Sequence, residues 1–174
     1  TMLGDPQIQR LDTIEIEVKI AEAAELGYGE RVERVFNDSR SVIHFDDAKT
    51  YFSLQNKRYD VIVAEPSNPW VSGVASLFSE EFYNTVINYL VEDGLFVQWI
   101  QLYEFTDSLV ISVLKAMSPH FSDYTIYSTN NDDIFVVATI NGKLGEPDFS
   151  RVLNGKIGQE LRRINLIKIG RAHV

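Results

Sequence analysis

The stretch YDVIVAEPSNPW, Tyr59 to Trp70, decides how this chain is read. Tyr59 to Ala64 form a short aliphatic run with β-branched side chains, the pattern of a strand buried on both faces. The run then meets an acid, Glu65, and a loop stiffened by Pro66 and Pro69, whose rings fix φ and remove two backbone donors. Either this is an ordinary strand exit, or the strand exists to hold Glu65 and its neighbours at the mouth of a pocket.

Working outward, strands and helices alternate. Thr13 to Glu17 reads as a strand, and Lys19 to Leu26 as a helix stopped by Gly27. Ser41 to Phe45 is a second strand, followed by Asp46 and Asp47, which suit the start of a helix from Ala48 to Leu54. Ser79 caps a helix carrying Phe82, Val86, Ile87 and Leu90. The turn Glu92-Asp93-Gly94 leads into a strand over Gly94 to Trp99, and Asp107 to Met117 form a helix with an apolar stripe. Phe121 to Tyr127 and Ile134 to Ile140 read as closing strands, joined across the turn-rich STNNDD. Two short helices are expected after Pro147. The order implies an α/β fold, a mostly parallel sheet covered on two sides with a C-terminal antiparallel hairpin. In such sheets ligands gather beyond the carboxyl ends of the strands.

The chain has 174 residues, 45% of them hydrophobic, which supports one domain with a real core. Sixteen Lys and Arg against 25 Asp and Glu give a net charge of −9, with no basic block, so a phosphate-tracking nucleic-acid surface is excluded. A cationic small molecule suits this balance better. There is no cysteine, and His44, His120 and His173 are scattered, so no metal is expected. Nothing resembles a signal peptide or an apolar span of about 20 residues, and a cytoplasmic location is expected.

Acids stand at three strand ends: Glu15 and Glu17, Asp46 and Asp47, and Glu65. A carboxylate at the end of an early strand can accept two hydrogen bonds from ribose hydroxyls, and Glu15 is the candidate. Glu17 reads as an exposed acid at a helix start. Asp47 is open to two readings, a plain helix cap or an acceptor for an adenine amine while the Ala48 amide meets a ring nitrogen. Trp70 is either a flat wall beside an alkyl chain or cation, or a core tryptophan. His44 reads as a satisfied strand histidine, and Tyr83, Trp99 and Tyr103 as packing residues.

The ordered set TIEIE, HFDDAKTYF, YDVIVAEPSNPW, GVASLFSEEFY and DGLFVQW resembles the spermidine synthase family of aminopropyltransferases, which have the S-adenosylmethionine-dependent, Rossmann-like methyltransferase fold. The match spans about Leu3 to Ile140 and is closest to a bacterial branch with an E-P-S-N-P-W motif, often fused to membrane segments. The resemblance implies that Glu15 holds the ribose and Asp47 with Ala48 the adenine. It also implies that Glu65 replaces the aspartate that takes a proton from the attacking amine, Asn68 replaces a second aspartate that helps bind the polyamine, and Gln98 lines the pocket. The co-substrate implied is decarboxylated S-adenosylmethionine, with S-adenosylmethionine as the alternative; the partner is a small amine or polyamine, and a homodimer is possible in the family. The chemistry gives the acid a purpose. A free alkylammonium has a pKa of about 10.4 and must lose a proton before its nitrogen can attack the methylene beside a sulfonium.

Two departures are visible. Where the synthases read D-S-S-D-P, this chain reads Glu65-Pro66-Ser67-Asn68-Pro69, which moves one carboxylate outward and removes another negative charge. The family's first strand and glycine-rich turn have no counterpart, so the expectation is a partial domain over residues 1–140, inactive and weak in cofactor binding by itself. A helical extension is expected over 141–168. The tail IGRAHV, Ile169 to Val174, resembles a translated DNA-sequencing adapter and is set aside as artefact. Three functions stay open: aminopropyl transfer, methyl transfer, or a non-catalytic nucleoside-binding domain of a membrane protein.

Overall fold

The computed structural model describes residues 2–67, 69–71, 73–103, 105–129, 133–154 and 156–163. In chain order the elements are β1 (Leu11–Glu15), α1 (Val18–Tyr28), α2 (Glu33–Asn37), β2 (Ser41–Phe45), α3 (Ala48–Leu54), β3 (Tyr59–Ala64), α4 (Glu80–Val86), β4 (Leu90–Gln101), α5 (Asp107–Met117), β5 (Asp123–Thr129), β6 (Asp133–Thr139), α6 (Ser150–Asn154) and α7 (Lys156–Arg163). They form two compact units, the first within Thr1–Gln55 and Pro147–Ile169, the second within Asn56–Glu146.

In the first unit β1 and β2 run parallel, with Leu11 opposite Ser41 and Glu15 opposite Phe45. The strand expected over Thr13 to Glu17 begins and ends two residues earlier. The reason is local: the Glu17 carboxylate accepts the Lys19 amide at 3.1 Å and caps α1, so the chain leaves the sheet after Glu15. At the far end of α1 the Gly29 amide bonds to the Glu25 carbonyl, at a φ of 51° that suits glycine. Arg40 ties down the amino-terminal segment. Its guanidinium donates to the carbonyls of Leu3 (2.8 Å), Asp5 (3.1 Å) and Ile8 (2.9 Å) and to the Asp38 carboxylate (2.7 Å). That pairing holds the Asp38 carboxyl down at about 2.

The second unit holds a four-stranded sheet in the order β3-β4-β6-β5. β3 and β4 are parallel, and the expected antiparallel hairpin is present as β5 and β6, with Thr129 opposite Asp133. Residues 130–132, within the stretch where the turn is expected, lie outside the described residues. The turn expected at Glu92 to Gly94 is absorbed into β4: Tyr59 faces Leu90 and Val61 faces Leu95, so the intervening residues bulge out. A Cβ on Gly94 would lie 2.9 Å from the Val91 carbonyl oxygen, which explains the glycine.

Alternation along the strands then places the core. Phe96, Gln98 and Ile100 on β4, and Ile134, Val136 and Ala138 on β6, are buried, while the residues between them are only half-buried. Tyr83 and Val86 of α4 and Val113 and Met117 of α5 are also buried, and Phe96 packs edge-on to Tyr83 and stacked on Phe121. Among the described residues no helix is long and apolar enough to cross a membrane.

Candidate functional site

Within the first unit, the two nucleoside-binding candidates meet at one end of the β1–β2 pair. The Asp46 amide donates to the Glu15 carbonyl at 3.2 Å, so the chain leading to Asp47 starts beside the end of β1. Glu15 is half-buried and its Oε1 accepts the Glu17 amide at 2.8 Å, which fixes the carboxylate in its own turn. Asp47 is exposed and caps α3, its Oδ1 accepting the Lys49 and Thr50 amides at 3.0 and 3.1 Å. The cap employs one carboxylate oxygen and holds it still, so the two readings of Asp47 are compatible. Ala48 is the first residue of α3.

What orients α3 is a buried polar contact that sequence reading half anticipated. Asp12, on β1, has a side chain only 1% exposed; it accepts from Arg10 Nε at 3.0 Å and lies 2.8 Å from His44 Nε2 on β2. His44 is thus the satisfied strand histidine expected. Its ring also packs on Tyr51 of α3, with centroids 4.8 Å apart. The chain of contacts Asp12, His44, Tyr51 fastens the helix that begins at Asp47 to the strand that ends at Glu15.

In the second unit Glu65 follows β3 directly and is exposed. Gln98 sits opposite Ala64 on β4 and is fully buried. Its Nε2 donates to the carbonyls of Ala64 (3.3 Å) and Trp99 (3.1 Å), and its Oε1 accepts from the Tyr83 hydroxyl at 3.3 Å. Burial pushes the Tyr83 hydroxyl well above the ordinary tyrosine range, so it stays a donor. Gln98 therefore faces the α4 side and holds the residue before Glu65. Trp70 is 48% exposed and packs on Phe105, centroids 5.5 Å apart, so it joins the loops after β3 and β4. Asn68 lies outside the described residues. An open depression of about 290 Å³ lined by Glu25, Gly29, Glu30, Glu33, Phe36 and Asn37 involves none of the candidates.

The sequence reading missed Asp12 and Phe105 and left Tyr83 to packing. Residues 6–135 match the spermine/spermidine synthase domain. The chain belongs to that family. A polyamine aminopropyltransferase of Buchnera aphidicola is 25% identical over 123 residues, 71% of this chain and 43% of that relative, so the chain spans less than half of its length. A spermidine synthase in complex with the transition-state analogue AdoDATO superposes with a TM-score of 0.71 at 21% identity, over 80% of this chain and 49% of that one. Human methyltransferase-like protein 13 in complex with SAH superposes with a TM-score of 0.67 at 20% identity, over 88% and 71%. The fold is the Rossmann-like methyltransferase fold.

Proposed function

We propose that this chain is the catalytic portion of an aminopropyltransferase that uses decarboxylated S-adenosylmethionine. In this reading Glu15 accepts hydrogen bonds from the ribose hydroxyls, and Asp47 with the Ala48 amide reads the adenine edge. Glu65 takes the proton that the acceptor ammonium must lose. The amine nitrogen then bonds to the methylene beside the sulfonium, the carbon–sulfur bond breaks, and its electron pair leaves on sulfur as neutral methylthioadenosine. Trp70 walls the acceptor side, and Gln98 positions Glu65 through the Ala64 carbonyl.

The observation that carries the reading is the family match over residues 6–135, taken with an exposed carboxylate at the end of β3 and paired carboxylates at the end of β1–β2. The AdoDATO complex of the spermidine synthase relative supports an S-adenosyl ligand. Likeness to human methyltransferase-like protein 13, in complex with SAH, keeps methyl transfer from S-adenosylmethionine as the second reading, since both are displacements at the same sulfonium.

The test is turnover by the full-length protein with each nucleoside and a panel of amines, with methylthioadenosine and S-adenosylhomocysteine quantified. Methylthioadenosine formed from the decarboxylated nucleoside, and lowered about 10²- to 10⁴-fold in Glu65→Gln with nucleoside affinity kept, is the expected result. Nucleoside binding without either product from any amine overturns the reading in favour of a binding domain.

A further inference from the structure

The helix α3 has seven residues, of which Tyr51 and Phe52 are buried, and its last residue, Leu54, is 72% exposed. A helix so short has little independent stability, so its place is set by what its buried side chains touch. Tyr51 matters twice. Its ring packs on His44, and its amide donates to the Asp47 carbonyl at 2.8 Å, closing the first turn on the proposed adenine acceptor.

Strand register explains why His44 can hold that ring. Asp12 faces Val42 and His44 faces Ile14, so the two polar residues lie diagonally on one face of the β1–β2 pair. The Asp12 carboxylate, 1% exposed, is gripped by Arg10 Nε, 3.0 Å from each oxygen. An ionised carboxylate only accepts, so His44 carries a hydrogen on Nε2, 2.8 Å from Oδ1. A ring bonded at one edge to a buried acid is fixed in orientation and presents a fixed face to Tyr51. Glu15 is held separately, by the Glu17 amide at 2.8 Å.

Resting on the reading of Asp47 and Ala48 as the groups that meet the adenine edge, we propose that His44, held by Asp12, is the positioning residue that makes the site choose adenine. It acts through Tyr51 on the first turn of α3. The consequence is specific: displacing that turn removes the contacts to the adenine edge, whereas ribose contacts at Glu15 persist.

Binding of methylthioadenosine and methylthioinosine by the full-length protein tests this. The two share the ribose and the methylthio group, but inosine carries a carbonyl where adenine has its amine and an N–H where adenine has a ring acceptor. Calorimetry of the parent should give about tenfold or greater preference for methylthioadenosine, since a charged acceptor left without its donor is costly. In His44→Ala the preference should fall to about one, through lost affinity for methylthioadenosine, with that for methylthioinosine kept within about twofold. His44→Gln keeps an N–H for Asp12 without the ring and should fall between, and it decides the matter if His44→Ala melts below the assay temperature. Asp47→Ser, which caps the helix but does not reach the base, is the control and should lower the preference. Equal weakening of both nucleosides in the His44 variants marks a merely structural role and overturns the proposal. So does a preference that survives in them while Asp47→Ser lowers it, which leaves the reading of Asp47 standing. A preference unchanged in every variant, or absent from the parent, overturns that reading as well.

Discussion

In the second unit Tyr83, Val86, Leu90, Phe96, Met117 and Val136 are fully buried, whereas among the described residues of the first the buried hydrophobics are Leu3, Tyr51 and Phe52. Side chains that elsewhere make a core face solvent in the first unit: Ile16, Ile20, Tyr28, Leu26 at 87% exposed and Leu54 at 72%. The second unit is thus held by apolar burial, at roughly 25 cal/mol per Å² removed from water. The first relies on directional contacts, the Arg40 clamp and the Asp12–His44–Tyr51 chain. A helix the length of α1, 11 residues with none buried, has little independent stability. The lesson is a division of labour, in which the proposed nucleoside residues stand on the weakly cored unit and Glu65 on the strongly cored one.

The largest effect that sharpens this contrast is a matched pair of truncations. Phe96→Ala opens a hole against Tyr83, Phe82 and Phe121 and should cost about 3–5 kcal/mol. Leu26→Ala, on an exposed position, should change stability by less than about 0.5 kcal/mol. Chemical denaturation of both variants checks the pair, and equal losses would break the comparison. Native-state hydrogen exchange should agree, with α1 and α2 opening at lower free energy than β4 and β6.

A smaller effect separates binding from folding. Gln98→Leu leaves the Ala64 carbonyl and the Tyr83 hydroxyl without their partner and should destabilise by about 1–3 kcal/mol, read in the melting curve. Glu15→Gln, on a half-buried carboxylate at a strand end, should leave the melting curve nearly unchanged while weakening S-adenosyl nucleoside binding about tenfold. Reversal of these two outcomes would place binding in the second unit instead.

The same contrast explains what was legible in the sequence. Tyr59 to Ala64 announced β3, and the NNDD turn announced the hairpin, because strand runs and turn residues carry local signals. The helix start at Asp47 was equally readable, and its capping bonds are present. The direction of Gln98 was not. Leu95, Phe96, Val97, Trp99 and Ile100 surround it with apolar residues on both faces, so a period of two assigns it to neither. Asp12 was hidden for another reason: its partner His44 is 32 residues away, and only strand register brings them together. Phe105 meets Trp70 only because parallel β3 and β4 deliver their following loops to the same end.

The smallest expected effect concerns acid. Arg40, by hydrogen bonding and charge, lowers the Asp38 carboxyl from about 3.8 to about 2. A depressed carboxylate contributes stability that is fully present above its unfolded pKa and fades as pH falls through the folded one. The contribution should therefore be complete above about pH 4 and lost between there and about pH 2. Asp38→Asn removes it at every pH. The gap in stability between the parent and Asp38→Asn should accordingly narrow as the solution is acidified across that window, and the exchange protection of residues near Leu3, Asp5 and Ile8 should narrow with it. Arg40→Ala behaves differently, because the guanidinium also bonds three backbone carbonyls that do not titrate. Its deficit should persist at pH 2. If both deficits vanish together in acid, the amino-terminal segment is fastened by charge alone, and the view that the first unit depends on its network of directional hydrogen bonds fails there.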